Sequence, residues 1–428
     1  MQNEIPAEGV LPELEVARPT AAMSVVSTLF FIWGFATVLN DILIPHLQNV
    51  FSLNNFQAML VQFAFFTSYF VFAVPWGKAV DRIGYRNTMV SGLVVSAIGC
   101  LMFIPAAIVL SYGFFLAALV VLACGITALQ VAANPYVTAL GSARTASSRL
   151  NLAQAFNSLG TAVAPKIGAV MIFTAAATVP LASLHGDALR AAQLQQASSV
   201  RLPYTILAVI LLLLAALIRF GLPAPRHMDT EQIRSSDTKH GFSILKNKRV
   251  LLATIGIFVY VGGEVAIGSF LVKYLNLPEI LNVSEKVAGG LVSIYWTCAM
   301  VGRFIGAGVL QKLSPEKLLA ICAAVAGALV LVSTTTHGML AAATILAVGL
   351  FNSIMFPSIF AIGVEGMGKR TSDASSVMIM AIVGGALIPA AQGHVADLIG
   401  IHRALVIPLA CYAYILFFGI WGMRQKAS

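Results

Sequence analysis

The chain has 428 residues, of which 59% are hydrophobic and only 10% charged, with a formal net charge of +9. Soluble domains carry roughly a quarter charged residues, so a water-soluble monomer is excluded: too much apolar surface would be left in water. Lys and Arg fall in short clusters between apolar runs, without a basic face or interleaved aromatics, which excludes a nucleic-acid surface and fits the positive-inside rule of membrane proteins.

In chain order, residues 1–21 are acidic and polar, with no basic leader and no small-residue cleavage site after them, so they read as a cytoplasmic tail. Apolar runs then predict twelve membrane spans at 22–50, 54–82, 86–110, 113–140, 147–176, 201–222, 248–276, 284–312, 316–335, 338–366, 373–398 and 402–424. Crossing a hydrocarbon core about 30 Å thick takes about 20 residues, a length these runs reach. Basic residues set the orientation. Arg82 and Arg86 follow span 2, Arg144 and Arg149 span 4, Lys312 and Lys317 span 8, and Lys369 and Arg370 span 10. The turns after spans 1, 3 and 9 have no Lys or Arg, so the even-numbered loops and both termini are expected in the cytoplasm. The five cysteines (Cys100, Cys124, Cys298, Cys322, Cys411) lie within spans, show no metal-ligand spacing, and read as small buried hydrophobes.

The polar connector 223–247 divides the chain into six-span halves, 22–222 and 248–424, with a short tail at 425–428. The halves resemble each other. The fourth span of each has a proline six residues before a glycine, Pro135/Gly141 and Pro357/Gly363, followed by "ARTASSRLN" in one half and "KRTSDASSV" in the other. Such a parallel repeat, related by an axis along the membrane normal, is the plan of major facilitator transporters, which rock two halves about a midplane site. Between spans 2 and 3, Gly77, Asp81, Arg82, Gly84 and Arg86 match the loop G-x-x-x-D-[RK]-x-G-x-[RK] typical of that superfamily. A degraded second copy surrounds Arg303 and Lys312. Alone, the motif is equally a charged turn; with the repeat it becomes specific. Glycine allows a tight turn there, and Arg144, Arg303 and the motif residues are candidates for gating.

Charges within spans are costly, about 2.5–3.5 kcal/mol on insertion scales, so each is a candidate site. They are Asp41 in span 1, Lys166 in span 5 and Glu264 in span 7. Amides gather in the same region: Asn40, Gln130 and Asn134 at i, i+4 in span 4, Asn151, Gln154 and Asn157 in span 5, Asn352 in span 10 and Gln392 in span 11. Amides donate and accept as sugar hydroxyls do, and rings such as Trp33, Phe156, Tyr295 and Trp296 can stack on a pyranose. An anion would call for clustered arginines. Interhelical glue is the competing role for any one amide. His46 reads as interfacial, His394 as an interhelical histidine, and Lys273 and Glu365 as helix-end contacts.

The segments "FFIWGFATVLNDILIPHLQNVF", "LQVAANPYVTALG", "RLNLAQAFNSLGT" and "YVGGEVAIGSFLVKYL" resemble the fucose:proton symporter family of the major facilitator superfamily, in its glucose/galactose branch. The resemblance runs from about residue 22 to 424 and implies an all-α fold of twelve helices. It implies a cation-coupled carrier of a neutral monosaccharide in a bacterial inner membrane, functional as a monomer, with no cofactor and no covalent chemistry. Asp41 matches the family's coupling aspartate. Gln130 stands where the fucose branch has a glutamate, which weakens a proton reading and favours Na+, as in some glucose/galactose members. Glu264 supplies a charge that the fucose branch lacks. Lys166 departs from the pattern; it fits an exchanging salt bridge to Asp41 or Glu264, a tethered substitute for a coupling ion, or a stem reaching water. The alternatives are proton-coupled transport of fucose, mannose or an N-acetylhexosamine, and a drug exporter, which would want a less polar cavity. A membrane transferase would need a magnesium-holding DxxD pair, and none occurs.

Overall fold

The computed structural model describes residues 19–53, 55–173, 184–222 and 242–427. For residues 19, 40–45, 55, 56, 58, 59, 165, 166, 168–173, 285, 286, 426 and 427 the description covers the backbone alone. Among the described residues all regular structure is helical: α1 Pro19–Phe51, α2 Asn55–Val109, α3 Tyr112–Ala139, α4 Ala146–Phe173, α5 Gly186–Ser198, α6 Arg201–Gly221, α7 Lys248–Asn276, α8 Glu285–Val309, α9 Pro315–Thr335, α10 Gly338–Asn352, α11 Met355–Val364, α12 Thr371–Met380, α13 Gly384–Ile399 and α14 Val406–Ala427. Helices close every backbone hydrogen bond within the segment, which lipid demands.

The apolar runs predicted from sequence reappear, with three differences. Spans 2 and 3 form one 55-residue helix whose path breaks at Gly84, at φ 77° and ψ 166°, a region open in practice only to glycine. Span 10 breaks at Ser353 and Ile354, between α10 and α11, and span 11 tightens to a 3-10 turn at Ala381–Val383 between α12 and α13. A further short helix, α5, precedes span 6; its composition is too polar to cross a bilayer and the apolar pattern missed it. Two starts are capped as the sequence invites: Asn247 accepts from Arg249 N and Val250 N at the head of α7, and Ser314 accepts from Lys317 N before Pro315 opens α9.

The helices show what surrounds them. On α6, Tyr204, Leu207, Leu211, Leu214 and Ile218 are buried at helical spacing, yet the opposite face presents Leu202, Ile206, Val209, Leu213, Leu217 and Phe220, the last 84% exposed. A helix apolar on its outward face belongs in hydrocarbon. The cysteines are free thiols, three buried and two half-buried.

The chain packs as two compact units. Among the described residues, one contains 20–133 and 156–222 and the other 134–155 with 242–427. The end of α3, the following turn and the first turns of α4 therefore pack with the C-terminal helices, although the connector at 223–247 assigns them to the N-terminal half. In the first unit, Phe103 of α2 stacks on Tyr204 of α6 with centroids 4.0 Å apart. His46, near the end of α1, is 3% exposed and held by the Gln196 carbonyl of α5 at 3.1 Å. In the second unit α9 packs on α14 and α7 on α13. His394 sits exposed on α13 rather than between helices, while Glu365 does end a helix, in an ion pair of 3.0 Å with Arg249.

Candidate functional site

In the first unit, α1 and α4 cross without room for side chains. A Cβ on Gly34 would strike the Asn157 backbone, and one on Gly160 would strike the Phe31 carbonyl. Asn157 Nδ2 donates to the Phe30 carbonyl at 3.0 Å at the same crossing, so this amide ties helices together. Asn40 and Asp41 lie farther along α1, but their side chains, like that of Lys166 on α4, fall outside the described residues. Gln130 is 5% exposed on α3, with the hydroxyl of Tyr69 on α2 beside it. Gly77 is buried, Arg82 is exposed, and Arg86 Nη1 donates to the Leu222 carbonyl at the end of α6 at 3.2 Å, so the loop motif clamps a helix end. The Asp81 carboxylate has one oxygen fully buried in that turn.

In the second unit the polar side chains converge on α7, α8, α10 and α14. Asn352 is fully buried; it donates to Tyr295 Oη at 2.7 Å and accepts from Tyr412 Oη at 2.7 Å. Both ends of its amide are thus used, so Asn352 serves as glue here rather than as an open ligand contact. Glu264 and Tyr260 sit one turn apart on α7, hydroxyl beside carboxylate, yet neither Tyr260 Oη nor Glu264 Oε1 finds a well-directed hydrogen bond among the described residues. Arg303 is the cation whose charge reaches Glu264. It is inside α8, two turns before the helix ends and within the span 284–312 predicted from sequence. Trp296 is half-exposed and covers Gly268 of α7.

Two nitrogens of the Arg303 guanidinium donate to backbone. Nε donates to the Ser353 carbonyl at 3.3 Å, at the break between α10 and α11, and Nη1 to the Gln154 carbonyl on α4 at 3.1 Å. The side chain supplies a donor where a broken helix leaves a carbonyl orphaned. Its own carbonyl accepts from Asn151 Nδ2 at 2.6 Å, and Ser148 Oγ donates to the Ala307 carbonyl at 2.6 Å. Residues 148–154 are thereby clasped to 303–307. A cavity of about 600 Å³ lies beside this clasp, lined by Ser142, Arg144, Ser147, Lys312, Ser314 and Glu365 among others.

Two amides remain open. Asn134 on α3 and Gln392 on α13 are both fully buried, and neither end of either amide has a partner among the described residues. A buried unpaired amide costs about 1–3 kcal/mol per group, so each is a place where a bound hydroxyl or water completes the bonding. Of the residues predicted from sequence, the structure brings Glu264, Arg303 and Asn352 together and joins Gln154 to them through Arg303. The tyrosines at 69, 260 and 412 were missed, although Tyr260 stands four residues before Glu264 and so shares its helix face.

Comparison with known proteins agrees with this architecture. The sequence pattern of the Major Facilitator Superfamily matches residues 25–390. A glucose/galactose transporter of Brucella abortus is 48% identical over 404 residues, 94% of each chain. The L-fucose-proton symporter of Escherichia coli is 34% identical over 406 residues, 92% of this chain and 91% of its own length. Among solved structures, that of FucP in the outward conformation superposes with a TM-score of 0.87 at 33% identity, covering 94% of this chain and 99% of the other.

Proposed function

The chain belongs to the Major Facilitator Superfamily, and from that premise we propose that it carries a neutral hexose, glucose or galactose, across the membrane by cation-coupled alternating access. One observation carries the sugar reading. Among the described residues Asn134 and Gln392 hold fully buried amides with every donor and acceptor open, which suits a polyhydroxyl solute and not an apolar drug or an anion. Relatives whose names specify glucose and galactose or L-fucose support the same class.

Asp41 and Glu264 are the coupling carboxylates of this reading and Lys166 is a third candidate charge, while Gln130, Gln154 and Asn157 are candidate sugar-binding residues. The chain has cytoplasmic termini in a bacterial inner membrane, and the halves 22–222 and 248–424 rock about the site. The case for Na+ rests on Gln130 alone. The relatives whose names specify an ion are proton symporters, so proton-coupled uptake, of fucose or of hexose, is the second reading.

The test is uptake of radiolabelled glucose, galactose and fucose into proteoliposomes under an imposed Na+ gradient or an imposed pH gradient. Hexose accumulation lost in Asp41→Asn supports the proposal, and the driving gradient names the ion. Accumulation of fucose alone under a pH gradient selects the second reading. No accumulation of any sugar under either gradient overturns both.

A further inference from the structure

The two copies of the internal repeat treat one arginine differently. In the second copy Arg370 Nε pairs with Asp373 Oδ2 at 3.5 Å, and Nη2 donates to Ser243 Oγ at 2.8 Å. Aligning "ARTASSRLN" with "KRTSDASSV" puts Arg144 opposite Arg370 and Ser147 opposite Asp373. The first copy therefore keeps the arginine and has a hydroxyl in place of the carboxylate. At that place lies the cavity of about 600 Å³, bounded by the ends of α3, α8 and α11 and the starts of α4 and α9. Arg144 and Lys312 line it, both exposed, and among the described residues neither side chain has a hydrogen bond or an ion pair. Ser147 lines it as well; it is 3% exposed, and among the described residues its hydroxyl has no partner. Ser314 Oγ accepts from Lys317 N at 3.4 Å and keeps its own proton to donate. The acid in the lining, Glu365, already has Arg249 at 3.0 Å, so the charges of Arg144 and Lys312 stand uncompensated.

We propose that this cavity binds a phosphate monoester, its dianion held by Arg144 and Lys312 with hydroxyl donors from Ser147 and Ser314. A guanidinium presents a planar fork to two phosphate oxygens and an ammonium a point charge to a third, whereas a carboxylate, with one charge, would leave one of the two cations unmatched. The volume falls within the range of about 300–1,000 Å³ typical of small-molecule sites and leaves room for the body of the ester against the apolar wall at Leu313 and Ile362. A hexose phosphate and the headgroup of a phosphatidate present this same chemistry, and the orientation proposed above puts the cavity on the cytoplasmic side. The two sides of the cavity flank the clasp: Ser147 adjoins Ser148, which donates to the Ala307 carbonyl, and Lys312 follows Ala307 by five residues. A dianion held from both sides opposes their separation, so on the transport reading it slows uptake. The site itself does not rest on that reading.

The test is thermal unfolding of the full chain in neutral detergent, titrated with glucose 6-phosphate in one arm and with phosphatidic acid in the other. Glucose and phosphatidylcholine, which lack the monoester, are the respective controls. A ligand that binds only the folded chain raises the melting temperature with its concentration. The expected result is a rise beyond the control in at least one arm. Arg144→Gln should shift that response to about tenfold higher ligand or more, because a charge-assisted bidentate contact is lost, and Lys312→Gln should shift it in the same direction. Ser147→Asp, which gives Arg144 the partner that Arg370 has, should abolish it. Should Ser147→Asp fail to give monodisperse protein, the double variant Arg144→Gln/Lys312→Gln, changed at two exposed positions, takes its place and should abolish the response equally. A response in the first arm names a soluble ester and one in the second a lipid headgroup; either supports the proposal. No rise beyond the control in either arm, or a rise that survives Ser147→Asp or the double variant, overturns it. A chain stabilised by glucose 6-phosphate through Arg144 but not by glucose keeps the inference and counts against the hexose reading.

Discussion

The amide of Asn157 donates to the carbonyl of Phe30 at 3.0 Å, at the place where Gly34 and Gly160 let α1 and α4 touch backbone to backbone. Small residues at a crossing and one side-chain hydrogen bond across it are how helices associate in lipid, where no hydrophobic difference pulls them together. Replacing Asn157 by Ala should lower stability by about 0.6–2 kcal/mol. Gly160→Ala must push the helices apart and should cost more, about 1–3 kcal/mol or above. Thermal unfolding in detergent ranks the two; a Gly160→Ala protein as stable as wild type would mean that the crossing is not tight.

Asn352 is bonded at both ends by tyrosines, so its loss strands two buried hydroxyls. Asn352→Ala should destabilise by about 1–3 kcal/mol for each hydroxyl left unpaired, whereas removing the hydroxyls as well, with Tyr295→Phe and Tyr412→Phe, should recover much of that loss. A mutant cycle on melting temperature measures it. Additive losses across the cycle would show that the three groups act independently.

The break at Gly84 has φ 77° and ψ 166°. Any Cβ strains that backbone, by about 1–3 kcal/mol. Gly84→Ala should therefore reduce the yield of monodisperse protein and slow transport, because Arg86, two residues on, would lose its line to the Leu222 carbonyl. Arg86→Ala should reproduce the transport defect with a smaller loss of yield.

Arg249 and Glu365 pair at 3.0 Å with side chains 27% and 42% exposed. Solvent screens such a pair, which is worth about 0–1 kcal/mol. Glu365→Gln should leave melting temperature and transport within error of wild type, and a marked loss in either would assign Glu365 to the neighbouring cavity that it lines.

How much of this was legible beforehand divides by interaction range. Glu264 was found because a charge within an apolar run stands out, and Gly84 because its motif carries a turn; both are local signals. Arg303 lay within the predicted span 284–312 but was grouped with the gating motif, because a degraded copy of that motif runs from it to Lys312 and the sequence does not say which carbonyls it reaches. Asn352 was counted among ligand contacts because an amide has the same composition whether a sugar or two tyrosines take it.

The sequence by itself determined the membrane environment, the apolar helical segments and the repeat, since apolar length is set residue by residue by the cost of burying polar groups in lipid. Tertiary structure alone decided which carbonyls Arg303 binds, that residues 134–155 pack with the C-terminal helices, and which amides stay open. Those outcomes depend on pairs far apart in the chain, 149 positions in the case of Arg303 and Gln154, and nothing in either residue's neighbourhood encodes the other.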